Sequence, residues 1–406
     1  LNYREALAWL FRTQRFGIKL GLESSRRLFY SLGVPPPDAR IFHVAGTNGK
    51  GSVCAMLDSI LRAAGFRSAL FTSPHLITFR ERIRIDGEMI PEQAVARGLT
   101  SIRSLIATWE PHPTFFEITT ALALTWFRDH GAQFIVLETG MGGRLDATNA
   151  TQPLVSVLTP IDYDHEKWLG FSLTSIATEK AGIIKARIPV VSAIQPEEAA
   201  AVIRQRAAEC DAPLTFVKQH VARFSPALHG THQKENAALA VAALEAANLR
   251  LPDAAIERGL AKVRWPARFE HLDDRTIIDG AHNPAGARVL ARSWRETFGF
   301  ERASVILSVL EDKNISAICS EIAPITARFL LPAIGSERAQ SPQKLALTIK
   351  GLMPEIPVQT HDSFAKAWKE AKAGNDLILI AGSLHFAGEA LAFLRGEPAA
   401  YEECLQ

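Results

Sequence analysis

The stretch HVAGTNGKGSV, residues 43–53, decides the reading of this chain. It has the parts of a phosphate-binding loop in an irregular order. The common pattern is G-x-x-x-x-G-K-[ST]. Counted back from Gly49-Lys50, the first glycine should fall at Val44. Counted forward, Gly51 stands where the hydroxyl residue belongs, and Ser52 follows one place later. Glycines let backbone N–H groups approach an anion without obstruction. A lysine adds a point charge suited to phosphate. An apolar strand precedes the loop, and an amphipathic helix starting near Ser52 follows it, so the helix N-terminus is aimed at the same anion. A strand-to-helix turn with a solvated lysine is the plainer alternative, and the flanking elements weigh against it.

The chain has 406 residues, long for one core, so two domains are expected. Apolar content of 47% and charged content of 22% are ordinary for a globular protein. A net charge of +2 gives no case for nucleic acid, which needs a clustered basic face. The cysteines Cys54, Cys210, Cys319 and Cys404 lie far apart, without a C-x-x-C pair, so neither zinc nor a disulfide framework is indicated. That pattern suits a reducing cytoplasm. No apolar run is long enough for a membrane span. The opening LNYREALAWLFRTQRF carries charge throughout and lacks the features of a signal peptide.

Working outward, short branched apolar runs alternate with helical patterns. IFHVA (41–45), SALFT (68–72), FIVLE (134–138), VSVLT (155–159) and PVVSA (189–193) read as buried parallel strands. Between the first two, Val53, Leu57, Ile60, Leu61 and Ala64 mark one helical face, with Gly65 as C-cap. RTIIDG (275–280), SVILSVL (304–310), ARFLLPA (327–333) and DLILIAG (376–382) extend the pattern, with helices near 284–298 and 362–373. The expectation is two open, mostly parallel α/β domains, 1–268 and 269–406, joined near Trp265-Pro266 and enclosing a cleft.

Ligands of open parallel sheets bind at the carboxyl ends of the strands. There the first region delivers GTNGKGS, then Ser73 and His75, then Glu138, Arg144 and Asp146, then Asp162, Asp164 and His165. Glu138 closes an apolar strand, where a bare carboxylate is costly. A divalent metal would explain it, because Mg²⁺ takes one or two protein carboxylates plus phosphate and water. Ser73 is a candidate hydroxyl ligand; His165 suits Mg²⁺ less well, and an Asp-His pair after a strand more often forms a helix cap or a hydrogen-bonded turn. Lys180 and Lys185 in EKAGIIK either snorkel to water or serve a site, and spacing does not choose. In the second region Asp279, ending a strand, binds a ribose or caps a helix. His282 and Asn283 follow it, and Ser383 and His385 sit in LIAGSLHFAGE.

These residues match a known family in order: VAGTNGKGS, TSPHLITFRERIRIDG, TFFEITTALAL, ETGMGGRLDATN, TPIDYDH, IATEKAGIIK, HQKENAALA, ARFE and DGAHNP, then more loosely LEDKN and AGSLHFAGE. The chain resembles the folylpolyglutamate synthase/dihydrofolate synthase family of the Mur ligase superfamily. The resemblance implies a nucleotide-binding domain of P-loop type, a smaller Rossmann-like ligase domain, and ATP-dependent addition of L-glutamate to a dihydropteroate or reduced folate carboxylate through an acyl phosphate. Carried over by position, Asn48, Gly49, Lys50, Gly51, Ser52, Asn236, Arg268 and Asp279 hold ATP. Ser73, Glu138 and His165 hold Mg²⁺, and a carbamate on Lys185 holds a second Mg²⁺. Lys50, Lys185 and His165 serve catalysis, Thr114, Phe116 and Asp146 the pterin side, His282 and Ser383 the incoming glutamate. It further implies K⁺ as a candidate cofactor, a monomer, and no membrane or nucleic-acid partner.

A ligase of the same superfamily acting on a cell-wall precursor is the nearest alternative, and TSPHL, FFEITT and GGRLDATN favour the folate branch. A P-loop kinase predicts the regular loop pattern, which is missing. A non-catalytic nucleotide module leaves the metal and lysine candidates unexplained.

Overall fold

The apolar runs become the strands of two sheets in a computed structural model that describes residues 1–16, 21–36, 38–218 and 224–402. The first sheet contains β1 (Arg40–Ala45), β2 (Ser68–Phe71), β3 (Ile83–Ile85), β4 (Glu88–Met89), β5 (Phe134–Glu138), β6 (Val155–Leu158), β7 (Val190–Ala193) and β8 (Leu214–Val217), in the order β4-β3-β2-β5-β1-β6-β7-β8. From β2 to β8 every pairing is parallel. β3 and β4 are added at one edge as antiparallel strands. The second sheet contains β9 (Glu270–Asp273), β10 (Thr276–Ile278), β11 (Ala303–Leu307), β12 (Thr326–Pro332), β13 (Val358–His361) and β14 (Leu377–Ala381), in the order β13-β12-β11-β14-β10-β9. Only β9 runs antiparallel there.

Both faces of each sheet are covered, which explains the continuous apolar runs of the central strands. Helix Lys50–Ala63 returns from β1 to β2 and buries Val53, Leu57, Ile60 and Leu61. These pack with Phe42, Val136 and Val157 of the sheet and with helices Thr231–Ala246 and Asp253–Lys262. Helices Tyr3–Arg12, Glu23–Leu32, Glu92–Leu105 and Phe115–Asp129 supply a core on the other face. Helix Asp253–Lys262 still belongs to the first layer, and β9 begins the second sheet at Glu270. Trp265-Pro266 lies on the segment between them. Helix Pro284–Phe298 anchors the second core through the fully buried Trp294, whose indole N–H donates to Glu301 O at 2.8 Å.

The strands absent from the sequence reading are β3, β4, β8, β9 and β13. They are edge strands or neighbours of edges, and β9 and β13 (EHLD, VQTH) carry polar or charged residues on their open faces. No helix among the described residues is long and apolar enough to cross a membrane.

Leu57→Ala removes a fully buried side chain from the wedge between sheet and helices. It is expected to lower unfolding free energy by about 2–5 kcal/mol in urea titration.

Candidate active site

β1 ends at Ala45, and the chain turns through Gly46–Gly49 into a helix that begins at Lys50, two residues earlier than the sequence suggested. Gly49 is the N-cap with φ 88°, a backbone state that other residues resist. A Cβ there would also stand 2.7 Å from Asn236 Oδ1. Gly51 has a different reason. A Cβ on it would lie 2.7 Å from the indole nitrogen of Trp265, so a hydroxyl side chain has no room after Lys50. The displaced Ser52 falls in the first helical turn, buried, and its Oγ has no hydrogen-bond partner. Thr47 Oγ1 is already committed, donating to Asp162 O at 2.9 Å and accepting from Asp162 N at 3.0 Å. That pair ties the loop to the end of β6.

In the first sheet β2, β5, β1 and β6 are adjacent, so their carboxyl ends meet along one edge. Glu138 ends β5 at 4% exposure, and its carboxylate accepts the Ser73 N–H at 3.1 Å. Burial pushes its pKa up, opposed by the charges of Lys50, Arg268 and Arg82 and by the Ser73 bond. Burial pulls Arg268 down, against Asp279 and Glu138. Asp279 is held by backbone, accepting from Phe269 N and Ala281 N, each at 2.7 Å. Among the described residues no three His, Cys, Asp or Glu side chains form a ready-made metal cage. The donor set does fit a hard dication completed by phosphate and water. It offers one buried carboxylate, the unpartnered Ser52 hydroxyl and the neighbouring Thr139 hydroxyl, also buried and unpartnered.

Asp164 forms the second centre. Its carboxylate receives Lys313 Nζ at 2.6 Å and Asn283 Nδ2 at 3.0 Å, and it faces His282 Nε2 at 3.5 Å. Burial would raise its pKa; the bond and charge of His282, with His165 and Lys313, hold it far below the carboxylate range instead. His282, Asn283 and Lys313 come from the second domain. Asn283 also exchanges side-chain amide bonds with Asn48 of the loop, at 3.2 and 3.1 Å. His165, at φ 52°, projects beside this cluster. Burial lowers its pKa to about 4 against the pull of Asp164, aided by Lys313, His282 and Lys50, so near pH 7 it is a neutral imidazole with a lone pair to offer.

The two lysines of EKAGIIK part company. Lys180 is buried, and its ammonium donates to Gly46 O of the loop at 2.7 Å. Burial and Lys50 bring its pKa to about 7, against Asp164 and Asp146. Lys185 points elsewhere: it donates to Asn149 O at 2.9 Å, and its charged neighbours are Arg26 and Arg206. Of the two, Lys180 is the one in contact with the phosphate loop. Lys180 lies in the last turn of the helix that ends at Ala181 and Lys185 lies beyond that helix, a difference that spacing could not reveal.

Of the pterin-side candidates, Thr114 caps helix Phe115–Asp129 in a capping box with Glu117. Phe116 lies over Gly140, just beyond Glu138, and 5.8 Å from the Phe71 ring. Asp146 spends both oxygens inside its loop, on Gly140 N, Met141 N, Thr148 N and Thr148 Oγ1 at 2.6–3.1 Å. It shapes the GMGG turn. Ser383 caps helix Leu384–Leu394 by accepting Phe386 N, and Leu384 presses on Gly280 beside His282. Sequence reasoning gave no site role to Asn283, Lys313 or Trp265; Trp265 packs with the first-domain core, while Asn283 and Lys313 reach Asp164 only through the meeting of the domains.

A phosphate-type loop on a parallel sheet faces a second α/β domain across buried charges, and the family models place this arrangement among the Mur ligases. Residues 44–207 match the Mur ligase middle domain, and residues 267–384 the Mur ligase glutamate ligase domain. The dihydrofolate synthase/folylpolyglutamate synthase of Bacillus subtilis is 35% identical, over 95% of this chain and 97% of its own. The Escherichia coli FolC in complex with DHPP and ADP superposes with a TM-score of 0.85 at 31% identity, covering 96% of this chain and 98% of that one. The bifunctional synthase of Yersinia pestis complexed with AMPPNP and Mn ion gives 0.87 at 29% identity, with coverage of 97% and 98%. The chain belongs to the folylpolyglutamate synthase/dihydrofolate synthase family, and it is an ATP-dependent ligase.

Asp164→Asn is expected to cost about 3–5 kcal/mol at pH 7, because it strands Lys313 and His282. The native pKa lies below the unfolded value, so this stability is complete above about pH 4 and fades as pH falls further. Denaturant titrations of both proteins at pH 7 and pH 3 should show the gap shrinking at the lower pH.

Proposed function

We propose that this chain joins the amine of L-glutamate to the carboxylate of dihydropteroate or a reduced folate, serving both the first addition and tail extension in folate and one-carbon metabolism. The observation that carries the reading is the meeting of the phosphate loop, Glu138 and the Asp164 cluster along one edge, closed by Asn283, His282 and Lys313 from the other domain. All of these groups come from one chain, which supports a working monomer; the cytoplasm is its proposed location.

The γ-phosphoryl of ATP moves to a carboxylate oxygen of the folate. The glutamate nitrogen then attacks that carbonyl carbon, the C–O bond to phosphate breaks, and the amine loses a proton. Charge builds on the tetrahedral oxygen and on the departing phosphate, where fixed cations stabilise it most. Lys50 is the cation proposed for this: its ammonium donates to Thr47 O within the loop at 3.2 Å, and its charge is felt by Glu138, His165 and Lys180. Asn48 and the first-turn amides orient the phosphates, and Asn236, Arg268 and Asp279 frame the nucleotide side. Ser73, Glu138 and His165 would hold one Mg²⁺, which supplies positive charge to the phosphate oxygens. Only an unprotonated amine adds CO₂, and burial lowers both lysines, Lys180 to about 7 and Lys185 to about 8; the contact with Gly46 O of the loop makes Lys180 the lysine proposed to carry a carbamate for a second Mg²⁺. His282 and Ser383 are the residues proposed for glutamate, and Thr114 and Phe116 those for the pterin side. The acyl phosphate must be kept from water, which a closing cleft provides.

Phosphate release from MgATP is expected only with both a pteroate or folate and L-glutamate present; full release without glutamate overturns the reading. Running the assay in K⁺ and in Na⁺ tests the proposed K⁺ requirement. Lys50→Ala should lower kcat by about 10²–10³-fold, the range for removing one fixed charge donor. Lys180→Ala should lose activity and recover part of it with added formate or acetate. Lys185→Ala should keep most of its turnover. The reverse pattern would return the role to Lys185.

A further inference from the structure

The segment that follows Ser73 is gripped from the second domain and from the stretch after its last long helix. Glu402 makes the tie. Its N–H donates to Ile77 O at 2.7 Å, and its carbonyl accepts His75 Nε2 at 2.9 Å. One carboxylate oxygen, Oε2, accepts three donors: Phe79 N at 2.7 Å, Thr78 Oγ1 at 3.0 Å and Tyr3 OH at 3.0 Å. The buried His75 has its tautomer set from behind, since Arg82 Nε donates to Nδ1 at 2.8 Å and leaves the proton on Nε2.

The same segment is held from two further sides. The Glu81 carboxylate takes the N–H groups of Leu76, Ile77 and Thr78 at 2.9–3.0 Å. Ile77 is buried in a second-domain cluster with Phe386, Ala387 and Leu391. Helix Leu384–Leu394 comes so near that a Cβ at Gly388 would overlap the Leu76 carbonyl. This helix starts at Ser383, and the gripped segment starts just after Ser73, whose N–H bonds Glu138. The contact thus joins the metal side of the site to the glutamate side, on the flank opposite Asp164.

We propose that Glu402 is a positioning residue for ligation: it locks Leu76–Phe79 against the second domain, and so fixes Ser73 relative to Ser383 when the cleft is closed. Glu402 touches no substrate. Misplacing reacting groups by about 1 Å can cost about 10²-fold in rate, so a tie at this point acts on turnover more than on nucleotide binding. The inference takes its reaction from the ligase reading, but the tie itself does not depend on that reading.

The test uses the full chain with Glu402→Ala, Glu402→Gln and the milder Tyr3→Phe and Thr78→Val. Ligation kcat, KM for ATP and for glutamate, and hydrogen exchange at the Phe79 amide are measured on each. Glu402→Ala should lower kcat at least about tenfold, leave KM for ATP within about twofold, and speed exchange at Phe79. Glu402→Gln keeps an oxygen that can accept the same donors and should restore most of kcat. Should the alanine variant fail to fold, Tyr3→Phe and Thr78→Val must still lower kcat about two- to fivefold, by the loss of each side chain's bond to Glu402. Unchanged kcat in the folded variants overturns the positioning role, as does an equal loss with glutamine and alanine. A wild-type protein that shows no ligation counts against the ligase reading alone, because the Phe79 exchange result stands by itself.

Discussion

The buried carboxylate of Asp164 is the interaction on which the site depends. It sits just beyond β6 of the first domain and is satisfied by Lys313 and Asn283, with His282 alongside, all from the second. A charge at 7% side-chain exposure is unfavourable unless paired and hydrogen-bonded, so the arrangement of the two sheets is coupled to this group. The bonds between Asn48 and Asn283 extend the coupling to the phosphate loop itself. What occupies the loop and how the domains sit are therefore linked through a single short network.

Around that network the molecule concentrates charges that a folded protein ordinarily keeps apart. Lys50, Lys180, Arg268 and Lys313 gather near Glu138 and Asp164, and the cations raise one another's cost while the carboxylates lower it. Several polar atoms are left without partners at the same edge, Ser52 Oγ and Thr139 Oγ1 among them. Buried groups in that condition are rare and commonly mark a place meant for a ligand. An anion with several oxygens, bound with a dication, answers both the excess of cations and the unmet hydroxyls.

The broad plan was legible in the sequence because it rests on local patterns. Val53, Leu57, Ile60 and Leu61 recur at helical spacing and are buried, but so is every residue from Gly51 to Leu61, so the helix is enclosed on all sides rather than on one face. FIVLE is a strand from Phe134 to Glu138, as its unbroken apolar run indicates. The failures were also physical. β9 and β13 are edge strands with polar faces, so no apolar run announces them. Lys180 and Lys185 look alike in EKAGIIK, and only the path of the chain sends one to Gly46 O and the other to Asn149 O. The carboxylate of Asp146 turned inward, onto the amides of its own turn.

By itself, then, the sequence determined which strands carry glycine, lysine, carboxylate and imidazole at their ends, since strand and helix periods are written in nearest neighbours. It also held the anomaly of HVAGTNGKGSV. Only the tertiary structure explained it: Trp265, more than two hundred residues away, covers Gly51 and leaves no room for a hydroxyl there. The same holds for the Asp164–Lys313 pair and for the grip of Glu402 on Phe79, at sequence separations of 149 and 323. Such contacts depend on how two sheets meet, and that is settled by packing and charge burial over the whole chain.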